Sequence, residues 1–201
     1  MSNQTQKNTL KGFSLGEVIL AAAVLTVGIL PVLGAMTGAF NTSSDSRDTI
    51  IATGLAQEGM ELVMNVKDNS VIANPAAPFA AFPKNGGGNP ISSDTCRLSL
   101  ADAAVLSAPS TNSITCTVAG ANYYDLTIDS GLYKHMGVAG KFKRRIYLIE
   151  SGSNYRVGSA VYWGTYSPRD ANNEGQLDTA RNGCTVVNKC VFVDAKFSAW
   201  K

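Results

Sequence analysis

The longest uniform stretch of the chain is apolar. From Val18 to Phe40, 23 residues, none carries a charge. About 20 such residues let a helix cross the hydrocarbon core of a bilayer. Behind this run, Asn41 to Asp45 is a polar pause. Asp45 is placed to cap a resumed helix, with Asp48 at its third position. The pattern then turns amphipathic as far as about Asp68. Ile51, Leu55, Leu62, Val63 and Val66 form a stripe at helical spacing, and Glu58, Glu61, Asn65 and Asp68 form the opposite, wet face. Met60 and Met64 fall between the two. Such a stripe needs an apolar surface to lie on. Phe13 to Asp68 as one helix would be about 80 Å long at its 1.5 Å rise per residue. A domain of this size cannot bury such a rod, so its first half is expected to project.

Asn69 to Ser93 reads as a linker, with Pro75, Pro78, Pro83, Pro90 and Gly86-Gly87-Gly88. Phe79 and Phe82 either pin it to the core or face a partner. Beyond it the period changes to two. Cys96–Leu100 and Ser113–Val118 read as a pair of strands, and Tyr123–Asp129 as another. Lys141–Glu150 puts Phe142, Ile146 and Leu148 on one side. Ser151-Gly152-Ser153 is the turn to Tyr155–Trp163, where Tyr155, Val157, Val161 and Trp163 share a face. Gly164 to Lys189 reads as a long polar loop. Val191, Val193, Ala195 and Phe197 alternate in a last strand ending at Trp200.

These periods predict an α+β fold. A long N-terminal helix, transmembrane in its first half and amphipathic in its second, packs on a C-terminal antiparallel sheet. The boundaries are a leader at 1–12, the spanning helix at 13–40, the amphipathic half at 41–69, a linker at 70–95 and the sheet at 96–201. Excluding leader and span, about 160 residues remain, enough for one core.

The head of the helix carries the sharpest chemistry. Lys7 and Lys11 precede the apolar run, which keeps the N-terminus cytoplasmic. Glu17 sits at its lip, where a free carboxylate is costly. Nothing near it in the sequence offers a partner except an N-terminus newly made by cleavage. A secretory signal cut near Gly38-Ala39 is an alternative reading, but the apolar run exceeds the usual 7–15 residues. An uncleaved signal anchor is another. Within the run, Pro31 removes the hydrogen bond to the Val27 carbonyl, and Gly28 and Gly34 add backbone freedom on either side.

Gly12-Phe13-(x3)-Glu17, after a short polar leader with lysines, resembles the processing signal of type IV prepilins and pseudopilins. Glu17 to Leu30 and Leu55 to Asp68 are similar to minor pilins of the V type and to the I-type minor pseudopilin of type II secretion. Pro31 departs from that pattern, since the family's helix-breaking proline falls a few residues later. The resemblance implies a minor pilin or pseudopilin, a structural subunit of a pilus or pseudopilus. It implies cleavage between Gly12 and Phe13 by a membrane-embedded prepilin peptidase, and N-methylation of Phe13. It gives Glu17 the amine of a neighbouring subunit as partner during assembly. Gly28, Pro31 and Gly34 would then mark a stretch that melts when the subunit leaves lipid. The implied partners are other pilin subunits, the peptidase, the inner-membrane assembly platform and the membrane itself. The implied location is the inner membrane, single-pass, and then an extracellular or periplasmic filament. The competing functions are an extracellular binding module (an adhesin or DNA-uptake subunit) and a plain membrane-anchored exported domain.

Charge and composition narrow the rest. A net charge of +2 lacks the global basic bias of a dedicated nucleic-acid protein. Cys96, Cys116, Cys184 and Cys190 all lie beyond the apolar run, which favours disulfides. Three connectivities exist. Cys96–Cys116 with Cys184–Cys190 is preferred because each pair flanks one loop. Zinc is the rival, but the spacing is not C-x2-C and His135 is the only histidine. No hydrolase, zinc-peptidase or P-loop motif is present, so neither enzyme activity nor a cofactor or metal is expected. Lys141, Lys143 and Arg145 would share one side of a strand, with Arg144 on the other. They form either a solvated face, or charges that pair with Glu58 and Glu61 on neighbours, or a contact for DNA phosphates with Tyr147 stacking on a base. Asp170-Ala-Asn172-Asn-Glu174-Gly175-(x2)-Asp178 spaces oxygens somewhat like a calcium loop, but its twelfth position is Arg181.

Overall fold

The computed structural model describes residues 12, 14–73, 75, 93–96, 124–136, 138–151 and 154–198. The chain divides into two compact units, Met1–Ser46 and Arg47–Lys201. Helix α1 spans Leu15–Ala73, 59 residues without a break, and includes Pro31. The expected pause at Asn41–Asp45 is therefore not an interruption, and Asp45 is not an N-cap. One polar side chain there bonds back to its own helix instead of ending it: Thr42 Oγ1 donates to the Gly38 carbonyl at 3.0 Å. The helix also outlasts Asp68. It stops two residues before Pro75, whose ring disfavours helical geometry just upstream.

The strands are β1 (Ser93–Cys96), β2 (Asp125–Asp129), β3 (Leu132–Lys134), β4 (Phe142–Ser151), β5 (Asn154–Tyr162) and β6 (Cys190–Ser198). A short helix, α2 (Glu174–Gly183), lies between β5 and β6. All pairings are antiparallel, in the order β3-β2-β4-β5-β6. β4 is the central strand. One edge takes β5, from Lys143↔Tyr162 to Ser151↔Asn154. The other is shared end to end: Ile146–Ile149 takes β1, and Phe142–Lys143 takes β2. β2 and β3 form a hairpin whose two turn residues, Ser130 and Gly131, have φ of 53° and 82°. Two left-handed residues in succession match the twist of a tight hairpin. β3 was not expected from the sequence, because three residues are too few to show a period.

β1 pairs over Ser93–Cys96, so it begins before the expected Cys96–Leu100 strand, whose residues 97–100 lie outside the described residues. The Ser113–Val118 strand, most of the linker with Phe79 and Phe82, Gly152-Ser153 of the turn, and Trp200 lie outside the described residues.

Alternation places two hydrophobic layers on the sheet. Phe142, Ile146, Leu148, Val157, Val161, Val191, Val193, Ala195 and Phe197 face the second half of α1, as their spacing predicted. Ala52, Leu55 and Ala56 meet Leu126, Phe142 and Val161, while Met60, Leu62, Val63 and Val66 meet Ile146, Leu148, Val157 and Phe197. The buried stripe is thus wider than expected, and Met60 belongs to it while Met64 is exposed. Small residues set the approach. A Cβ on Gly59 would lie 2.5 Å from Ser159 Oγ and 2.9 Å from Ile146 Cδ1.

The opposite face is covered by α2, within a stretch expected to be loop. Asn173 caps that helix, its side chain accepting from Gln176 N at 2.9 Å. Leu177 and Ala180, three apart, close over Tyr147, Ile149 and Ala160. Two buried positions in ten are too faint a pattern to reveal a helix without the sheet it rests on.

Candidate functional site

The head of α1 is a closed unit of two residues. Ser14 Oγ accepts from Glu17 N at 3.3 Å, and Glu17 Oε2 accepts from Ser14 N at 3.1 Å. This is a reciprocal capping box, which satisfies two of the amides a helix N-terminus leaves open. It also puts the carboxylate at the positive end of the helix dipole. The expectation that Glu17 has no partner near it is corrected: the backbone of Ser14 provides one. The pattern Ser-x-x-Glu was legible in the sequence as a capping signal. Gly12 is exposed and outside the helix; Phe13, the expected new N-terminus, lies outside the described residues.

Behind that box every described residue from Leu15 to Arg47 is exposed. The helix contains an 18-residue window of mean hydropathy 2.5, none of it buried, long and apolar enough to cross a membrane. This is compatible with a single-pass anchor. Its hydroxyls are turned inward on the helix. Thr26 Oγ1 lies 2.9 Å from the carbonyls of Ala22 and Ala23, and Thr37 Oγ1 donates to Gly34 O at 2.9 Å. Such self-contained bonding suits an environment without water, where each unsatisfied polar group costs several kcal/mol. Gly28 and Gly34 have nothing within 4 Å of an added Cβ, so packing within the protomer does not require glycine there. The helix is unbroken through Gly28, Pro31 and Gly34.

The basic cluster is dispersed and paired. Lys141 precedes β4 and reaches Asp48 on α1 at 2.6 Å. Lys143 lies 3.3 Å from a carboxylate oxygen of Asp125. Arg145 donates to Asp170 at 2.6 Å and to Ser167 Oγ at 3.3 Å, and its guanidinium sits 4.2 Å from the centre of the Tyr124 ring. Lys143 and Arg145 do share a strand face, but Lys141 turns to the helix, so the three make no common patch. Tyr147 is wholly buried, and its hydroxyl donates to the Arg169 carbonyl at 3.1 Å. Burial pushes its pKa up strongly. Its ring is not available to stack on a base.

Sequence reasoning missed the role of Arg144. It projects to the α1 side, is fully buried, and donates to Leu55 O and to Glu58 Oε1, each at 3.0 Å. Glu58 is therefore not simply part of a wet face. An arginine amid hydrophobic positions of a strand signals a buried ion pair only once the strand's facing is known.

Three of the side-chain oxygens of the calcium-like stretch are already used. Asp170 holds Arg145, Asn173 caps α2, and Asp178 holds Arg156 at 2.8 Å. No cluster of metal-ligating side chains occurs among the described residues. Cys184 and Cys190 are joined, with Cα atoms 4.8 Å apart, as the local pairing predicted. Cys116, and with it the Cys96–Cys116 pairing, lies outside the described residues. Beside the Cys184–Cys190 loop, Trp163, Tyr166, Val187 and Lys189 border an open cleft of about 480 Å³, in which no acid, base and nucleophile converge.

Comparison with models of protein families, with curated proteins and with solved structures finds no match.

Proposed function

We propose that this chain is a membrane-anchored structural subunit of the pilin class, a minor pilin or pseudopilin that assembles into a filament through its N-terminal helix. The observation that carries this reading is Glu17. It closes the head of an uncharged 23-residue run, and among the described residues its carboxylate accepts from a backbone amide, that of Ser14. A carboxylate at a lipid boundary gains when a cation meets it, because the attraction of opposite charges strengthens as the dielectric falls and offsets the cost of keeping the acid ionised there. The amine exposed by cleavage after Gly12 on a neighbouring copy is such a cation. The exposed, uncharged surface of Val18–Phe40 supports the same reading. It suits lipid before assembly and a bundle of like helices after it.

In this reading Ser14 holds Glu17 in place until the neighbour arrives, and the sheet unit is the part displayed. The inner membrane is the starting point, and the prepilin peptidase and the assembly platform are the first partners. The adhesive and DNA-uptake readings draw less support, since Lys141, Lys143 and Arg145 are each engaged by an acid of their own chain.

The test is intact-mass analysis of the chain co-expressed with a prepilin peptidase, followed by incorporation assays. Loss of Met1–Gly12 and a methyl group on Phe13 are expected. Glu17→Ala should remain membrane-bound but be lost from filaments. An unprocessed chain in working filaments, or a Glu17→Ala chain that enters them normally, overturns the proposal.

A further inference from the structure

Among the described residues of the Arg47–Lys201 unit, the β2–β3 hairpin runs on past the strand it pairs with. β2 meets β4 only at Asp125↔Lys143 and Leu126↔Phe142, so Thr127 to Asp129 run on past the start of β4. Three residues at about 3.3 Å each carry the turn about 10 Å beyond Phe142. The direction of this overhang is set by α1. Phe142 packs on Ala52, Leu55 and Ala56, whereas Ile146 and Leu148 pack on Met60 to Val66. Moving back along β4 therefore moves back along α1, towards Asp48 and Arg47. The Lys141–Asp48 ion pair marks the same end. The hairpin thus extends towards the end at which the chain enters this unit.

That end carries exposed apolar side chains. Ile128 is 66% exposed, Leu132 44%, Met136 55% and Val138 61%. Tyr133, between them, is packed into the core beside Phe142, which holds the finger to the sheet. The charges of the finger cancel: Lys134 Nζ lies 2.8 Å from Asp129, and that contact holds the Asp129 carboxyl below its ordinary range. An exposed apolar tip whose charges are mutually paired suits a boundary between water and lipid.

We propose that this hairpin, with Met136 and Val138 after it in the chain, docks on the surface of the bilayer that the first half of α1 crosses, Ile128 and Leu132 entering the headgroup–acyl boundary. The proposal rests on the reading of Val18–Phe40 as a span. Lipid is the occupant favoured because of the tether. Phe40, the last residue of the uncharged run, is seven peptide steps from Arg47, at most about 25 Å of chain. A surface held that close to a bilayer needs only weak apolar affinity to occupy it. Docking would keep the sheet unit against the membrane until assembly withdraws the helix.

The test places a nitroxide at Ile128→Cys in the full chain, reconstituted in phosphatidylethanolamine–phosphatidylglycerol vesicles, with Asn182→Cys on exposed α2 as the reference. Collision with a water-soluble nickel chelate is compared with collision with oxygen, which concentrates in lipid. At position 128 nickel access is expected to fall about tenfold relative to 182, the partition expected of one large aliphatic side chain, while oxygen access rises. Equal nickel access at both positions, in a chain that resists carbonate extraction, overturns the docking and leaves the span intact. A chain released by carbonate overturns the span, and the docking with it. Protection that grows with protein-to-lipid ratio, with dipolar broadening between labels, assigns the tip to a second copy and overturns the lipid docking.

Discussion

Two glycines of α1, five residues apart, should respond to alanine with opposite signs. Gly54 is exposed, and a Cβ there meets nothing within 4 Å. Gly54→Ala should stabilise by about 0.5–1 kcal/mol, the difference in helix propensity. Gly59 gains the same propensity but loses space. Its Cβ would stand 2.5 Å from Ser159 Oγ, 2.9 Å from Ile146 Cδ1 and 3.0 Å from Arg144 Cδ. Those atoms belong to fully buried side chains of β4 and β5, so none retreats into solvent. Overpacking of this kind costs about 1–3 kcal/mol, which leaves Gly59→Ala destabilised by about 1 kcal/mol and the two variants about 2 kcal/mol apart. The measurement is urea unfolding of the full chain in mild detergent, followed by tryptophan fluorescence and compared at constant m-value. The nearest obstacle can also be removed. Ser159 Oγ is buried with no hydrogen-bond partner among the described residues, so Ser159→Ala should by itself be neutral or stabilise by about 1 kcal/mol. Combined with Gly59→Ala it should recover part of the loss, a coupling that a double-mutant cycle reads directly. If Gly59→Ala proves as stable as Gly54→Ala, the close approach of α1 to the sheet at this point is wrong.

Glu58→Ala removes the carboxylate from the buried Arg144 guanidinium, which keeps the Leu55 carbonyl. The expected loss is about 2–3 kcal/mol by the same unfolding assay, below the full cost of breaking a buried pair because Glu58 keeps 31% of its side chain in water. Burial raises the Tyr147 pKa above its unfolded value, so its contribution is intact below about pH 10 and is lost as pH climbs beyond. Melting against pH should show that alkaline loss reduced in Tyr147→Phe, which at neutral pH gives up about 1 kcal/mol with the bond to Arg169. Reducing Cys184–Cys190, which are six apart, should cost about 2 kcal/mol of loop-closure entropy, seen as a lower melting midpoint in reductant. Ser14→Ala should weaken the head of α1 by about 1 kcal/mol, visible as faster amide exchange in the first turn while Ser14→Thr stays near the unaltered protein.

Local periodicity sufficed for the broad plan. An uncharged run of 23 residues, an amphipathic stripe behind it and alternating strands dictate a helix and a sheet, because each element's own geometry repeats in its side chains. The partners on β4, β5 and β6 that face α1 were legible for the same reason, and so was the Cys184–Cys190 bridge, whose two ends close one short loop. What the sequence left undecided depends on contacts between distant residues. Arg144 reads as one more surface cation until the strand's facing puts it under Leu55 and Glu58, 86 or more positions away. α2 shows two apolar positions, and only the sheet beneath makes them a buried face. The continuity of α1 through Asn41–Asp45 went against local composition, since back-bonded hydroxyls cost a helix little. The overhang of the β2–β3 hairpin is a matter of register. Pairing that stops at Leu126↔Phe142 is decided by how the strands meet, and no single strand's sequence carries that information.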